Sequence, residues 1–215
     1  MVDAMDSKSI GGNTVRVRVP PRPLMQKRRL WAYIIGVALG DGNLSNPNGR
    51  AIRLRITCDA RYPLLGKCII SSLKLLLPNN SVSIIRVPSK DSYFNISVYS
   101  NKLADWIPWK VGLGTKESQN AHVPVWILRN KNYTKECLRG LLQTDGSIYQ
   151  DRGYLMVNFT NHTRALAQDV HKMMVASGYR PTLTSTPSKL GKTKYTVRLA
   201  REAQRLIDDL ILFKA

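Results

Sequence analysis

Residues 31–40 are apolar nearly all round, with no strict alternation of hydrophobic and polar positions, and so predict a buried helix rather than a half-exposed strand. Gly42 is placed to end that helix, because glycine accepts the left-handed conformation a helix stop needs. Beyond it the period changes. Ile52, Leu54 and Ile56 share one face while Arg53, Arg55 and Thr57 share the other, the mark of a strand. Apolar residues over 62–77 recur at helical spacing and predict an amphipathic helix, stopped by Pro78-Asn79-Asn80. Residues 81–88 and 92–99 read as two further strands, and 101–109 as a short closing helix capped by Asn101. After a polar stretch with glycines the order returns. It runs through an apolar helix capped by Thr134, strands at 147–149 and 153–160, an amphipathic helix at 163–178, strands at 182–186 and 192–199, and a closing helix at 201–213. The pattern is helix, two strands, helix, two strands, helix, written twice about 100 residues apart.

Both leading helices end alike. Ile34-Ile35-Gly36-Val37-Ala38-Leu39-Gly40-Asp41-Gly42 is echoed by Leu138-Arg139-Gly140-Leu141-Leu142-Gln143-Thr144-Asp145-Gly146, and the two aspartates stand 104 positions apart. A glycine inside a helix costs about 1 kcal/mol against alanine. Gly36 and Gly40 fall on one face, as do Gly140 and Thr144, which predicts a helix interface with close backbone approach. Asp41 and Asp145 then lie at the negative ends of two adjacent helix dipoles, where two carboxylates repel. A divalent cation between them removes the repulsion, which is the physical reason to expect a hard-metal site of oxygen ligands. The plainer reading of each is an Asp-Gly turn after a helix.

Charge sharpens this picture. Lys plus Arg number 33 against 14 Asp plus Glu, a formal net charge of +19, which points to a polyanionic partner, nucleic acid before membrane. No apolar run approaches the length of a membrane span, and the N-terminal residues have no signal-peptide pattern. The expected setting is the cytoplasm, or an organelle matrix for an organelle-encoded chain. Cys58, Cys68 and Cys137 have neither zinc nor disulfide spacing and read as reduced structural thiols. His122, His162 and His171 also lack ligand spacing.

Both repeated segments resemble the signature motif of the LAGLIDADG homing endonucleases, and Pro124-Val125-Trp126-Ile127 followed by residues 138–148 is similar to the second half of that family. The resemblance runs roughly from Arg29 to the C-terminus and is to the single-chain, two-motif type. It implies an α+β fold of two pseudo-symmetric αββαββα units, packed through the motif helices, whose antiparallel sheets form a DNA-binding saddle. The expected boundaries are a basic extension at 1–26, a first unit at 27–113, a linker at 114–132 and a second unit at 133–215; within the extension, 14–19 alternates like a short strand and reads as a sheet edge, as a basic arm along a phosphate backbone, or as a loosely ordered tail. Prolines 20, 21 and 23 are expected to exclude helix from the extension.

The resemblance further implies a monomeric, site-specific endonuclease that hydrolyses both strands of double-stranded DNA over a long site, leaving 3′ overhangs, with no obligate protein partner. Its cofactor is Mg²⁺, with Mn²⁺ or Ca²⁺ able to take the same place and Ca²⁺ without turnover. Asp41 and Asp145 are the implied catalytic and metal residues, with Gly40 and Thr144 also at the metal. Lys116 resembles the family's basic residue near the attacking water, and Asn161 stands where the family commonly has glutamine; a plain phosphate contact is the alternative for Lys116. Cys58 departs from that pattern, with Asp59 beside it as a substitute. The second unit is expected to lack a counterpart of the Lys116 segment, leaving Lys189, Lys192 or Lys194 for the role. Strand alternation offers Arg53, Arg55, Thr57, Tyr93, Asn95, Ser97 and Tyr99 as base readers in the first unit. Tyr154, Met156, Asn158, Thr160, Lys192, Lys194, Thr196 and Arg198 are their counterparts in the second. An RNA-binding maturase and a non-catalytic DNA-binding regulator are the alternative functions on this scaffold.

Overall fold

The computed structural model describes residues 22–88, 90–187 and 191–214, so the strand expected over 14–19 lies outside the described residues. The first motif helix, α1 (Arg22–Asp41), starts nine residues before Trp31. Pro23 falls in its first turn, where a missing N–H leaves no bond unmade, so this proline bounds the helix rather than excluding it. The first unit continues as β1 (Gly42–Ser45), β2 (Arg53–Asp59), α2 (Pro63–Leu76), β3 (Val82–Val87), β4 (Lys90–Tyr99) and α3 (Leu103–Trp106). A short α4 (Val125–Leu128) precedes the second unit, which is α5 (Lys131–Thr144), β5 (Gly146–Asp151), β6 (Tyr154–Asn161), α6 (Arg164–Ala176), β7 (Thr182–Pro187), β8 (Thr193–Leu199) and α7 (Ala203–Leu210).

Each unit holds one antiparallel four-stranded sheet, in the order β1-β2-β4-β3 or β5-β6-β8-β7. Leu54, Ile56, Ile96 and Val98 bury the inner face of the first sheet against Leu65, Ile69 and Leu73 of α2. In the second, Val157, Phe159, Val197 and Leu199 lie under Leu166, Val170 and Met173 of α6. Each such side chain stabilises the fold by about 1.5–3 kcal/mol on full burial. Trp31 stacks on Trp106 at 4.9 Å, Trp106 meets Trp126 edge-on at 5.8 Å, and Trp126 meets Tyr133 at 5.4 Å, a chain of rings from α1 across to α5.

The two motif helices pack against each other through their backbones. A Cβ on Gly36 would stand 2.2 Å from the Cys137 carbonyl oxygen, and one on Gly140 would stand 2.5 Å from that of Tyr33. At Gly40 the neighbour is the Thr144 hydroxyl, 2.0 Å from a Cβ.

Three local expectations are corrected. Gly42 does not adopt a left-handed conformation: its Cβ would lie 2.5 Å from the Ala38 carbonyl oxygen, so crowding at the helix-to-strand step demands glycine, as it does at Gly146 over Leu142. Asn130, not Thr134, caps α5, its side chain accepting from the amides of Asn132 and Tyr133; Thr134 is buried one turn in and donates to the Ile127 carbonyl. Lys102 rather than Asn101 stands at the N-cap of α3, and the Asn101 side chain accepts instead from the Ile52 amide. Among the described residues no helix is long and apolar enough to cross a membrane.

Candidate metal and nucleic-acid site

Asp41 is the last residue of α1 and Asp145 caps the end of α5, so the helix interface sets the distance between them. The Asp145 carboxyl carbon lies 3.4 Å from where a Gly40 Cβ would stand. Burial pushes the Asp145 carboxyl up to about 6; the Asn161 hydrogen bond opposes the rise and the Asp41 charge adds to it. Asp41, the more exposed of the two, is also raised by burial, and Lys214 and Lys116 work against that shift.

Two lysines stand over these acids. Lys116 Nζ donates to the Ala38 oxygen at 3.2 Å, the Leu39 oxygen at 2.7 Å and the Gly40 oxygen, closing the end of α1. Lys214 Nζ donates to the Thr144 oxygen and, at 3.1 Å, to the Gly146 oxygen, closing the end of α5. Burial lowers the pKa of both, and both aspartates raise it. The second unit therefore has a counterpart of Lys116, contrary to the expectation from sequence, and it is Lys214. Of the residues offered for that role, Lys192 pairs with Glu117 at 2.9 Å, Lys194 is exposed on the sheet, and Lys189 lies outside the described residues. The only signal was position in the repeat: Lys116 follows Asp41 by 75 residues and Lys214 follows Asp145 by 69.

The matched strands carry unmatched chemistry. Asn161 donates from Nδ2 to Asp145 Oδ2 at 2.7 Å, while its own oxygen accepts from the Thr163 amide. Gly42 pairs with Ile56 and Gly146 with Phe159, so the residue that corresponds to Asn161 is Cys58. Cys58 is buried, and its thiol is pushed up to about 12 by burial and by Asp41. Asp59 does not stand in for it, since Arg61 engages both its oxygens at 2.6–3.1 Å.

On the outer face of the first sheet Arg55, Thr57 and Tyr99 are exposed, Tyr93 is half-buried, and Arg53 donates to the Ser45 hydroxyl at 3.0 Å. Asn95 and Ser97 point the same way but are covered, at 8% and 2% exposure, and Asn95 accepts from Thr57. On the second sheet Tyr154, Lys194 and Arg198 are exposed, Met156 is half-buried, and Thr160 faces Thr196 at 3.4 Å. Asn158 is nearly covered and donates to the Tyr149 hydroxyl, and Lys192 lies just before β8. Strand register adds residues that alternation alone missed: Asn43 opposite Arg55, Ser147 opposite Asn158, Thr182 opposite Arg198, and Thr184 opposite Thr196. Directly opposed residues share a face.

Among the described residues no three His, Cys, Asp or Glu side chains gather to hold a metal. The donors on offer are the two carboxylates and the main-chain oxygens at the helix ends. Such an all-oxygen, incomplete set fits a hard cation that takes its remaining ligands from water and a phosphate.

Residues 132–211 match the family model described as a LAGLIDADG-like domain. A DNA polymerase of Thermococcus sp. (strain GE8) is 28% identical over 166 residues, which are 75% of this chain but only 9% of that relative's length. The homing endonuclease I-DmoI, solved with DNA and Mn, superposes with a TM-score of 0.63 at 18% identity over 86% of this chain and 97% of that one; it has also been solved with Ca. Full-length DUF199/WhiA from Thermatoga maritima gives 0.61 at 13% identity over 91% and 58%. At these identities the solved structures establish the fold, and the family model covers the second unit. Residues 132–211 thus match a LAGLIDADG-like domain, and the chain as a whole shares the fold of I-DmoI, with two motif helices on a single chain.

Proposed function

We propose that this chain is a site-specific, metal-dependent endonuclease that cuts both strands of double-stranded DNA, with Mg²⁺ as its working ion. The observation that carries the reading is the pair of carboxylates, the exposed Asp41 and the half-buried Asp145, held at the ends of two packed helices and flanked by two four-stranded sheets. In this reading residues 27–113 and 133–215 each take one half of the DNA site, and 114–132 joins them. A net charge of +19 favours the polyanion, and Arg53, Arg55, Lys194 and Arg198 bring part of it to the outer sheet faces. I-DmoI, solved with DNA and divalent metals, is similar over nearly its whole length and supports the same substrate class.

Asp41 and Asp145, with the oxygens of Gly40 and Thr144, would hold the metal. When bound, it polarises a phosphoryl oxygen, lowers the pKa of the attacking water and steadies the departing 3′ oxygen. Asn161 orients Asp145, and Lys116 and Lys214 place positive charge where the phosphate enters. Neither histidine nor serine is needed as a nucleophile. A binding-only protein, whether regulator or maturase, gains nothing from two carboxylates facing phosphate, and this sets those readings second.

The test begins by selecting cleaved duplexes from a random library with Mg²⁺. On the selected site, Asp41→Asn and Asp145→Asn should each abolish double-strand cleavage while leaving binding largely intact. Full cleavage by either variant would remove these residues from the reaction.

A further inference from the structure

Lys116 and Lys214 come from separate parts of the chain and arrive at equivalent places. Each ammonium group donates to main-chain oxygens at the end of one motif helix: Lys116 to Ala38, Leu39 and Gly40 of α1, Lys214 to Thr144 of α5 and to Gly146 just beyond it. The charges of both aspartates act on each ammonium. We propose that Lys116 and Lys214 are tethered cations that occupy the helix-end oxygens of the metal site in the metal-free protein, and that a divalent ion enters by displacing them.

The argument is one of charge and ligand type. The ends of α1 and α5 present unpaired carbonyl oxygens and two carboxylates in a partly desolvated space, an arrangement that requires positive charge. A lysine on a long flexible stem can supply it before any metal is present. A hard divalent cation seeks the same oxygens and cannot share them at coordination distance with an ammonium. Trp109 and Tyr62, whose ring centres lie 5.4 and 5.8 Å from the Lys116 and Lys214 nitrogens, give each displaced group an aromatic face beside the cleft. On displacement the two ammonium groups become free to meet the phosphate. Metal affinity is therefore held down until DNA helps to draw the lysines away.

This inference rests on the proposed metal site, and one titration separates the two. Ca²⁺ is titrated by calorimetry into the full, metal-free chain as wild type, Lys116→Met, Lys214→Met and Asp145→Asn. Both methionine variants should melt at lower temperature without metal and bind Ca²⁺ about tenfold more tightly than wild type. Binding equal to or weaker than wild type in both would overturn the tethered-cation model. Wild-type binding by Asp145→Asn would instead count against the metal site itself. Should the methionine variants fail to fold, reductive methylation of the wild type read by mass spectrometry decides. Ca²⁺ should speed modification of Lys116 and Lys214 relative to the other lysines, and an unchanged rate at both would overturn the model.

Discussion

The Tyr33 hydroxyl on α1 donates to Gln143 Oε1 on α5 at 3.0 Å, within the interface that sets the spacing of Asp41 and Asp145. Gln143 is fully buried and its amide donates onward to the Ile211 carbonyl, so one side chain ties both motif helices to the end of α7. Gln143→Leu would strand the Tyr33 hydroxyl and should cost about 1–3 kcal/mol in denaturant unfolding. Tyr33→Phe combined with Gln143→Leu should recover part of that loss.

Gly36→Ala drives a methyl group into the Cys137 carbonyl. Overpacking against backbone should cost about 3 kcal/mol or more and shift the two acids relative to each other. Gly49→Ala is the control. Its φ of 67° lies in open space, so it should cost only the left-handed penalty of about 1–2 kcal/mol and leave the helix pair unmoved. Chemical denaturation of both variants measures the difference.

Asn161→Ala removes the donor that holds Asp145 Oδ2. A carboxylate freed to rotate should cut more slowly by about 10–100-fold. Because the corresponding Cys58 supplies no matching amide to Asp41, the slowing should fall on one strand, and a plasmid assay should accumulate nicked circles. Equal slowing of both strands would argue against separate roles for the two halves.

The raised carboxyl of Asp145 also gives a pH signature in metal-free protein. Its pKa is about 6 in the folded chain against an ordinary value of 3.8, so the folded state holds the proton more tightly. That contribution to stability is complete below the ordinary value and is lost as pH rises through about 6. Denaturation in chelator should show this falling component, and Asp145→Asn should remove it.

Binding to duplex DNA should weaken steeply with salt, the logarithmic slope reporting about 0.9 per phosphate neutralised. Arg55→Ala should lower that slope by about one unit where it meets a phosphate, and instead relax base preference where it meets guanine.

What could be read beforehand divides along physical lines. The repeated glycines and acids were legible because helix interfaces and helix ends write themselves into spacing, and the strand faces were legible because side chains alternate. Lys214 was not, because its position depends on the turn at Ile211, with φ of 52°, which no residue pattern announces. Gly42 was misread because a glycine demanded by crowding and one demanded by positive φ look the same in sequence. Thr134 and Asn130 are both good caps by type, and only the extended backbone of Asn130, at φ −134° and ψ 118°, chose between them.

At Gly36 and Gly140 each motif helix meets main-chain atoms of the other rather than a particular side chain. Every residue has the same main chain, so what the two halves must keep at these two points is little more than the absence of a methyl group. Substitutions away from the helix interface can accumulate independently in each half without touching these two contacts. The two sheets can thus differ in sequence while the helix ends still deliver Asp41 and Asp145 to a common point.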